Sequence, residues 1–190
     1  MNNEKQVSSD KKNALKQGLI HIYCGDGKGK TTACVGLSVR AASHGLRVLF
    51  CQFLKSGTSG ELSVLKTLPT VEVISGEPIN RFSWEMTEEE KQITRDFNDA
   101  RLQEISARMK QNEFDLVVLD EVIGTIGAGL VDINVLLKLI EEKPATCELV
   151  MSGRNPAEEL LEVADYVSEI MARKHPFETS GITGRKGIEF

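Results

Sequence analysis

Between an apolar stretch and a helical pattern stand eight residues whose types suit one ligand: Gly25-Asp26-Gly27-Lys28-Gly29-Lys30-Thr31-Thr32. Alternate glycines let a backbone wrap closely, so that successive N–H groups turn toward one anion. A helix opening at the end of the run adds partial positive charge at the same point. Lys30 would reach phosphate oxygens, and the Thr31 hydroxyl would ligate Mg²⁺. The whole run, Gly25 to Thr32, is therefore the expected ATP-binding loop. It departs from the general pattern G-x-x-x-x-G-K-[ST] in one respect: Cys24 occupies the place of the first glycine, and Gly25 follows one residue late. A loop shortened there is expected to hold a triphosphate differently from an ordinary nucleotide hydrolase.

A second signal is the apolar run Leu116-Val117-Val118-Leu119, which finishes in Asp120-Glu121. Carboxylates at a strand end suit a hard divalent cation. Spacing leaves both Asp120 and Glu121 as metal ligands beside Thr31, and leaves open whether Glu121 activates a water instead. Side chains for acid–base or nucleophilic catalysis are scarce. No Ser-His-Asp spacing, HExxH or G-x-S-x-G occurs. His21 lies in a strand pattern and reads as structural, His44 precedes Gly45 at a helix end, and His175 sits near the tail. Chemistry here is expected to rest on positioning and charge neutralisation.

The elements that must carry these residues alternate. Strands are expected at Leu19–Cys24, Arg47–Leu54, Val71–Ile74, Leu116–Asp120, Glu148–Ser152 and Tyr166–Met171, and helices at Thr31–Ser43, Thr87–Gln111, Ile133–Ile140 and Pro156–Ala164. Thr87 and Glu90 are spaced as a capping box. A Gly/Ser loop at Ser56–Gly60 precedes a short helix, and Val122–Gly129, with three glycines, reads as a loose loop. The last residues read as an irregular tail. Strands that are apolar throughout and alternate with helices imply an α/β fold, a mostly parallel sheet covered on both faces. Ligands of such sheets bind at the carboxyl ends of the strands, where each polar motif falls. Residues 1–17 read as a polar tail with a short helix from Asp10 to Gln17, and 18–190 as one domain.

Composition narrows the class. Of 190 residues, 41% are hydrophobic and 27% charged, ordinary for a globular protein. With Lys and Arg at 23 against Asp and Glu at 28, the net charge of −5 argues against a nucleic-acid partner. No apolar run reaches the ~20 residues of a membrane span. Met1–Gln17 lacks the apolar core of a secretory leader, and Cys24, Cys34, Cys51 and Cys147 form no CxxC pair, so reduced thiols and a cytoplasmic address are expected.

Several motifs in order resemble one family, the P-loop type of ATP:corrinoid adenosyltransferase. Gly25–Thr32 matches its G-x-G-K-G-K-T-T loop, shortened first glycine included. Arg40-Ala41-Ala42-Ser43-His44-Gly45 is similar to its R-A-x-x-H-G, and Gln52-Phe53-Leu54-Lys55, with Glu61 beyond the loop, to its Q-F-x-K. Phe82-Ser83-Trp84-Glu85 resembles F-[TS]-W-E, Leu119-Asp120-Glu121 the acidic strand end, and Ser152-Gly153-Arg154 the [TS]-G-R. Lys174-His175-Pro176-Phe177 and Gly187-Ile188-Glu189-Phe190 resemble its tail, so the likeness runs from about residue 18 to 190.

The resemblance implies a P-loop NTPase-like (RecA-like) three-layer sandwich that transfers the 5′-deoxyadenosyl group of ATP to Co(I) of a corrinoid, releasing triphosphate. Co(I) is itself the nucleophile, which suits a chain poor in catalytic bases. Lys30, Thr31 and Glu121 would then be catalytic, with Mg²⁺ or Mn²⁺ on Thr31, Glu121 and Asp120. Phe82 and Trp84 would face the corrinoid as a wedge that removes the lower axial ligand of cobalt. Arg40, Gln52, Lys55, Glu61, Arg154, Lys174 and His175 are further candidates, and the tail is expected to close over bound ligand. The resemblance also implies a homodimer and an electron donor such as a reduced flavin or flavoprotein. Two other readings stand beside it. A conventional P-loop ATPase or kinase would yield ADP, and a non-catalytic carrier would hold adenosylcobalamin without turnover.

Overall fold

The computed structural model describes residues 15–54, 59–79 and 81–189. Its strands are β1 (Ile20–Cys24), β2 (Val48–Gln52), β3 (Val71–Ile74), β4 (Leu116–Asp120), β5 (Glu148–Ser152) and β6 (Tyr166–Glu169). Its helices are α1 (Lys30–Ser43), α2 (Gly60–Leu65), α3 (Glu88–Lys110), α4 (Val122–Gly127), α5 (Ile133–Glu141), α6 (Glu158–Val163) and α7 (Pro176–Ser180), with a 3₁₀ turn at Ser83–Glu85. The six strands form one sheet in the order β3-β2-β4-β5-β1-β6, and every ladder is parallel. β5 thus lies between the strand that feeds the glycine loop and β4, which ends in acid.

Side chains alternate across the central strands, so each strand supplies two cores. Val48, Phe50, Leu116, Val118 and Val150 pack against Cys34 and Ala41 of α1 and Leu62 and Leu65 of α2. Leu49, Cys51, Val117, Leu119, Leu149 and Met151 face the other way, against α3, α4, α5 and α6. This is the expected three-layer α/β sandwich, and it explains why β2 and β4 are apolar without a break. The four cysteines are buried and unpaired, and burial pushes the Cys51 and Cys147 thiols up to about 12.

Local signals set most boundaries. Thr87 Oγ1 accepts the Glu90 N–H at 3.2 Å while Glu90 accepts the Thr87 N–H at 2.9 Å, which is the expected capping box at the start of α3. Acidic Glu88–Glu90 in its first turn and Arg108 and Lys110 in its last suit the helix dipole.

Four expectations are corrected. Val122–Gly127 is helical, because that segment packs Val122 and Ile123 into the core and the Thr125 hydroxyl donates to Glu121 O at 2.8 Å. Pro156 precedes the N-cap Ala157 rather than entering the first turn of α6. β6 stops at Glu169, beyond which Ile170 O accepts the N–H of Gly27 in the glycine loop at 2.7 Å. The tail contains α7, which the His175 ring caps by accepting the Phe177 N–H at 3.3 Å. The helix expected over Asp10–Gln17 falls largely outside the described residues, and Leu15–Gln17 are not helical.

At the amino end of the sheet, His21 Nε2 lies 2.5 Å from Glu148 Oε1, and Glu148 Oε2 accepts the Leu19 N–H at 2.7 Å. Burial works to raise the Glu148 carboxyl, but these hydrogen bonds outweigh it and leave it below its ordinary value. A carboxyl lowered by folding stabilises above its unfolded pKa, and that contribution fades as pH falls through the folded value. The Tm advantage of the native chain over Glu148→Gln is therefore expected to be full at neutral pH and to shrink as pH drops below about 4. Thermal denaturation across pH checks it; a gap independent of pH would contradict it.

Candidate functional site

The glycine loop, the acidic end of β4 and the exits of β2 and β5 converge at the carboxyl edge of the sheet, whereas the Arg40–Gly45 motif, expected there too, lies at the amino end, because it closes α1 after that helix has run back along the sheet. β1 delivers the glycine loop, and the loop packs on the exit of β6. Gly25 has φ +100°, and a Cβ there would stand 2.4 Å from Ile170 O, so only glycine fits. Asp26 Oδ1 accepts the Ala172 N–H at 3.0 Å, which ties the loop to the same segment and holds the Asp26 carboxyl below its usual range. Gly25→Ala is expected to cost about 1–3 kcal/mol through strained backbone. Thermal denaturation of the variant beside the native chain checks it, and equal stability would contradict it.

Lys30 opens α1 and is only 8% exposed. Its Nζ donates to Gly25 O at 2.8 Å and to Gly27 O at 3.0 Å, so the cation lies inside the loop that it completes. Next to it, Thr31 Oγ1 donates to Asp120 Oδ2 at 3.2 Å. β2 and β4 pair Gln52 with Asp120 in register, and Gln52 Nε2 donates to the same Oδ2 at 3.1 Å. From the other neighbour of β4, Ser152 Oγ donates to Asp120 Oδ1 at 2.7 Å and accepts the Glu121 N–H at 2.9 Å. Three strands thus fix one fully buried carboxylate beside the loop.

Glu121 follows in the left-handed region at φ 64°, an unusual conformation for this residue type. There it caps α4 and lines the cleft. Its neighbour across the edge, Gly153, has φ +148°, and a Cβ would stand 2.5 Å from Gly124 N. The β5 exit and α4 can therefore approach only because Gly153 lacks a side chain.

The cleft over the loop has a volume of ≈ 590 Å³. Beyond the loop it is lined by Glu61, Glu121, Arg154, His175 and the tail residues Gly187–Glu189. Lys28 Nζ donates to Glu189 Oε1 at 2.9 Å, and Arg185 bonds both oxygens of Glu189. Arg185 first, then Lys28, hold the Glu189 carboxyl at about 2. The tail thus lies across the loop.

Other candidates are placed apart. Lys174 lines a neighbouring cavity with the tail, and Arg40 lies at the amino end of the sheet near His44 and Glu148. Phe82 and Trp84 do not line the cleft. They stack on each other with ring centroids 4.5 Å apart and an interplanar angle of 6°, and are 62% and 76% exposed. Lys55 lies outside the described residues.

Sequence reasoning missed the Ser152 hydroxyl as a brace for Asp120. The signal was present: Ser152 ends its apolar strand as Asp120 ends its own. Among the described residues no three His, Cys, Asp or Glu side chains gather as a metal cage. Thr31 Oγ1 and Asp120 Oδ2 nonetheless offer two hard oxygen donors at the loop mouth, a set that suits Mg²⁺ completed by phosphate and water. No helix among the described residues is long and apolar enough to cross a membrane.

Fold and cleft together define an α/β protein with a glycine-rich loop at the carboxyl edge of a parallel sheet. The model of the family ATP:corrinoid adenosyltransferase BtuR/CobO/CobP matches residues 16–190, so the chain belongs to that family and is a transferase. It is similar to a corrinoid adenosyltransferase of Pseudomonas aeruginosa, at 30% identity over 92% of this chain and 85% of that protein. One from a Sinorhizobium species is 30% identical over 98% and 88%. Another, from Escherichia coli, is 29% identical over 92% and 87%.

Proposed function

We propose that this chain transfers the 5′-deoxyadenosyl group of ATP to Co(I) of a corrinoid and releases triphosphate. The observation that carries the reading is a cleft that gathers Lys28 and Lys30 of the glycine loop with Arg154 after β5, in a chain whose family adenosylates corrinoids. Co(I) supplies the electron pair that bonds to the ribose C5′. The C5′–O bond breaks, its electron pair leaves on the triphosphate, and cobalt ends formally as Co(III). The protein need not remove a proton or form a covalent adduct. It holds C5′ in line with cobalt, neutralises the departing charge and excludes water.

Lys30 and the loop N–H groups take the phosphates, and Lys28 and Arg154 add charge at the rim. Mg²⁺ bound with the nucleotide would offset further negative charge, held by Thr31, Asp120 and Glu121. Lys28 meets the phosphates only when Glu189 yields it, so the tail moves as ATP enters. Phe82 and Trp84 form the corrinoid side. An electron donor such as a reduced flavin or flavoprotein goes with this reading, since cobalt must reach Co(I), as does a homodimer.

The test is an anaerobic incubation of the protein with ATP, Mg²⁺ and a chemically reduced corrinoid, followed by chromatography of the corrinoid. An adenosylated corrinoid is expected, formed one for each ATP consumed. ATP consumed with the corrinoid unchanged would leave a conventional hydrolase, and tight binding of adenosylcobalamin without turnover would leave a carrier.

A further inference from the structure

Arg101 is a buried cation in α3 and is only 7% exposed. Its guanidinium lies 4.0 Å from the centroid of the Phe53 ring and 5.3 Å from that of Phe97. Nη1 donates to Gly76 O at 3.0 Å, and Nη2 to Glu77 Oε1 at 3.1 Å and to Asn98 Oδ1 at 2.6 Å. Glu77 Oε1 also accepts the Leu54 N–H at 3.1 Å. One buried ion pair therefore joins the exit of β2, at Phe53 and Leu54, to the exit of β3, at Gly76 and Glu77. Leu54 is itself held in the left-handed region at φ 56°.

Stability alone does not explain this pair. Buried ion pairs seldom outdo an apolar pair of the same volume. Here Glu77 Oε2 and Arg101 Nε are buried with no hydrogen-bond partner among the described residues, which costs further. What the polar pair adds is direction: it grips two named backbone groups, one on each exit. From Glu77 the chain runs into the turn that carries Phe82 and Trp84. Glu61, seven residues beyond Leu54 in sequence, lines the nucleotide cleft.

We propose that Arg101 and Glu77 are positioning residues for the corrinoid side, clamping the β2 and β3 exits so that the Phe82–Trp84 stack stands at a fixed place relative to the nucleotide. This rests on the adenosyltransferase reading and deepens it. It predicts that loosening the clamp disturbs corrinoid recognition while the glycine loop, held separately by Ile170 and Ala172, still binds ATP.

Trp84 is the only tryptophan of the chain, so its fluorescence reports the segment directly and without turnover. In Glu77→Ala and in Arg101→Lys, which keeps the charge but loses the fork, Trp84 anisotropy is expected to fall and acrylamide quenching to rise. The corrinoid KM is expected to rise about tenfold, with the ATP KM within about twofold of the native value. Folded variants with unchanged anisotropy and corrinoid KM would overturn the proposal, as would equal rises in both KM values. The native chain gives an arm that needs no variant: Trp84 anisotropy decay should follow tumbling of the whole domain, and free nanosecond rotation of the ring would overturn the clamp. If the native chain fails to adenosylate, the functional reading falls, while the fluorescence still decides the clamp.

Discussion

Lys30→Ala is expected to lower kcat about 10²–10³-fold, the usual loss when one preorganised charge facing a developing anion is removed. Lys30 does not wait in solvent. It is buried within the loop, bound to the carbonyls of Gly25 and Gly27. Its ammonium therefore needs little reorganisation when negative charge grows on the departing triphosphate. The loop keeps its separate anchors, Gly27 N on Ile170 O and Asp26 on the Ala172 N–H, so the fold is expected to persist. Steady-state kinetics beside thermal denaturation check both halves. A variant with near-native kcat would remove Lys30 from the chemistry.

Asp120→Ala is expected to combine a loss of stability of about 3 kcal/mol with loss of most activity, because it leaves buried donors without an acceptor. Thr31, Gln52 and Ser152 all donate to this one carboxylate, and Gln52 Oε1 is already buried without a partner among the described residues. Asp120→Asn separates the two effects. It keeps the volume and part of the hydrogen bonding, so most of the stability should return. Removal of the negative charge beside Thr31 should still depress activity and raise the Mg²⁺ requirement. Chemical denaturation and a Mg²⁺ titration of turnover read these separately. Full activity in Asp120→Asn would mean that the carboxylate is only a structural brace.

The features whose place in the fold was most legible in the sequence are those written in a local pattern. The glycine loop needs backbone access and a helix start, so its eight residues are contiguous and readable. Asp120 is legible because an apolar strand that ends in acid leaves few interpretations. The capping box of α3 is equally local, two side chains three residues apart. What escaped was set by packing across the sheet. Ser152 became a brace only once β5 was placed beside β4. Val122–Gly127 looked loose because its glycines lower helix propensity, yet burial of Val122 and Ile123 made it a helix. The Arg101–Glu77 pair joins positions 24 residues apart on different elements, and nothing in either local sequence marks it. The tail was read as a closing segment, but the hold of Glu189 on Lys28 spans 161 residues and appears only in three dimensions.

The most direct measurement is ³¹P NMR of an anaerobic reaction containing the protein, ATP, Mg²⁺ and a Co(I) corrinoid. Inorganic triphosphate should accumulate as the phosphorus product, with its two resonances, one from the equivalent terminal phosphorus atoms and one from the central atom, growing in step with adenosylated corrinoid. Accumulation of ADP and orthophosphate instead would place bond breaking at the terminal phosphoryl group and contradict attack at C5′.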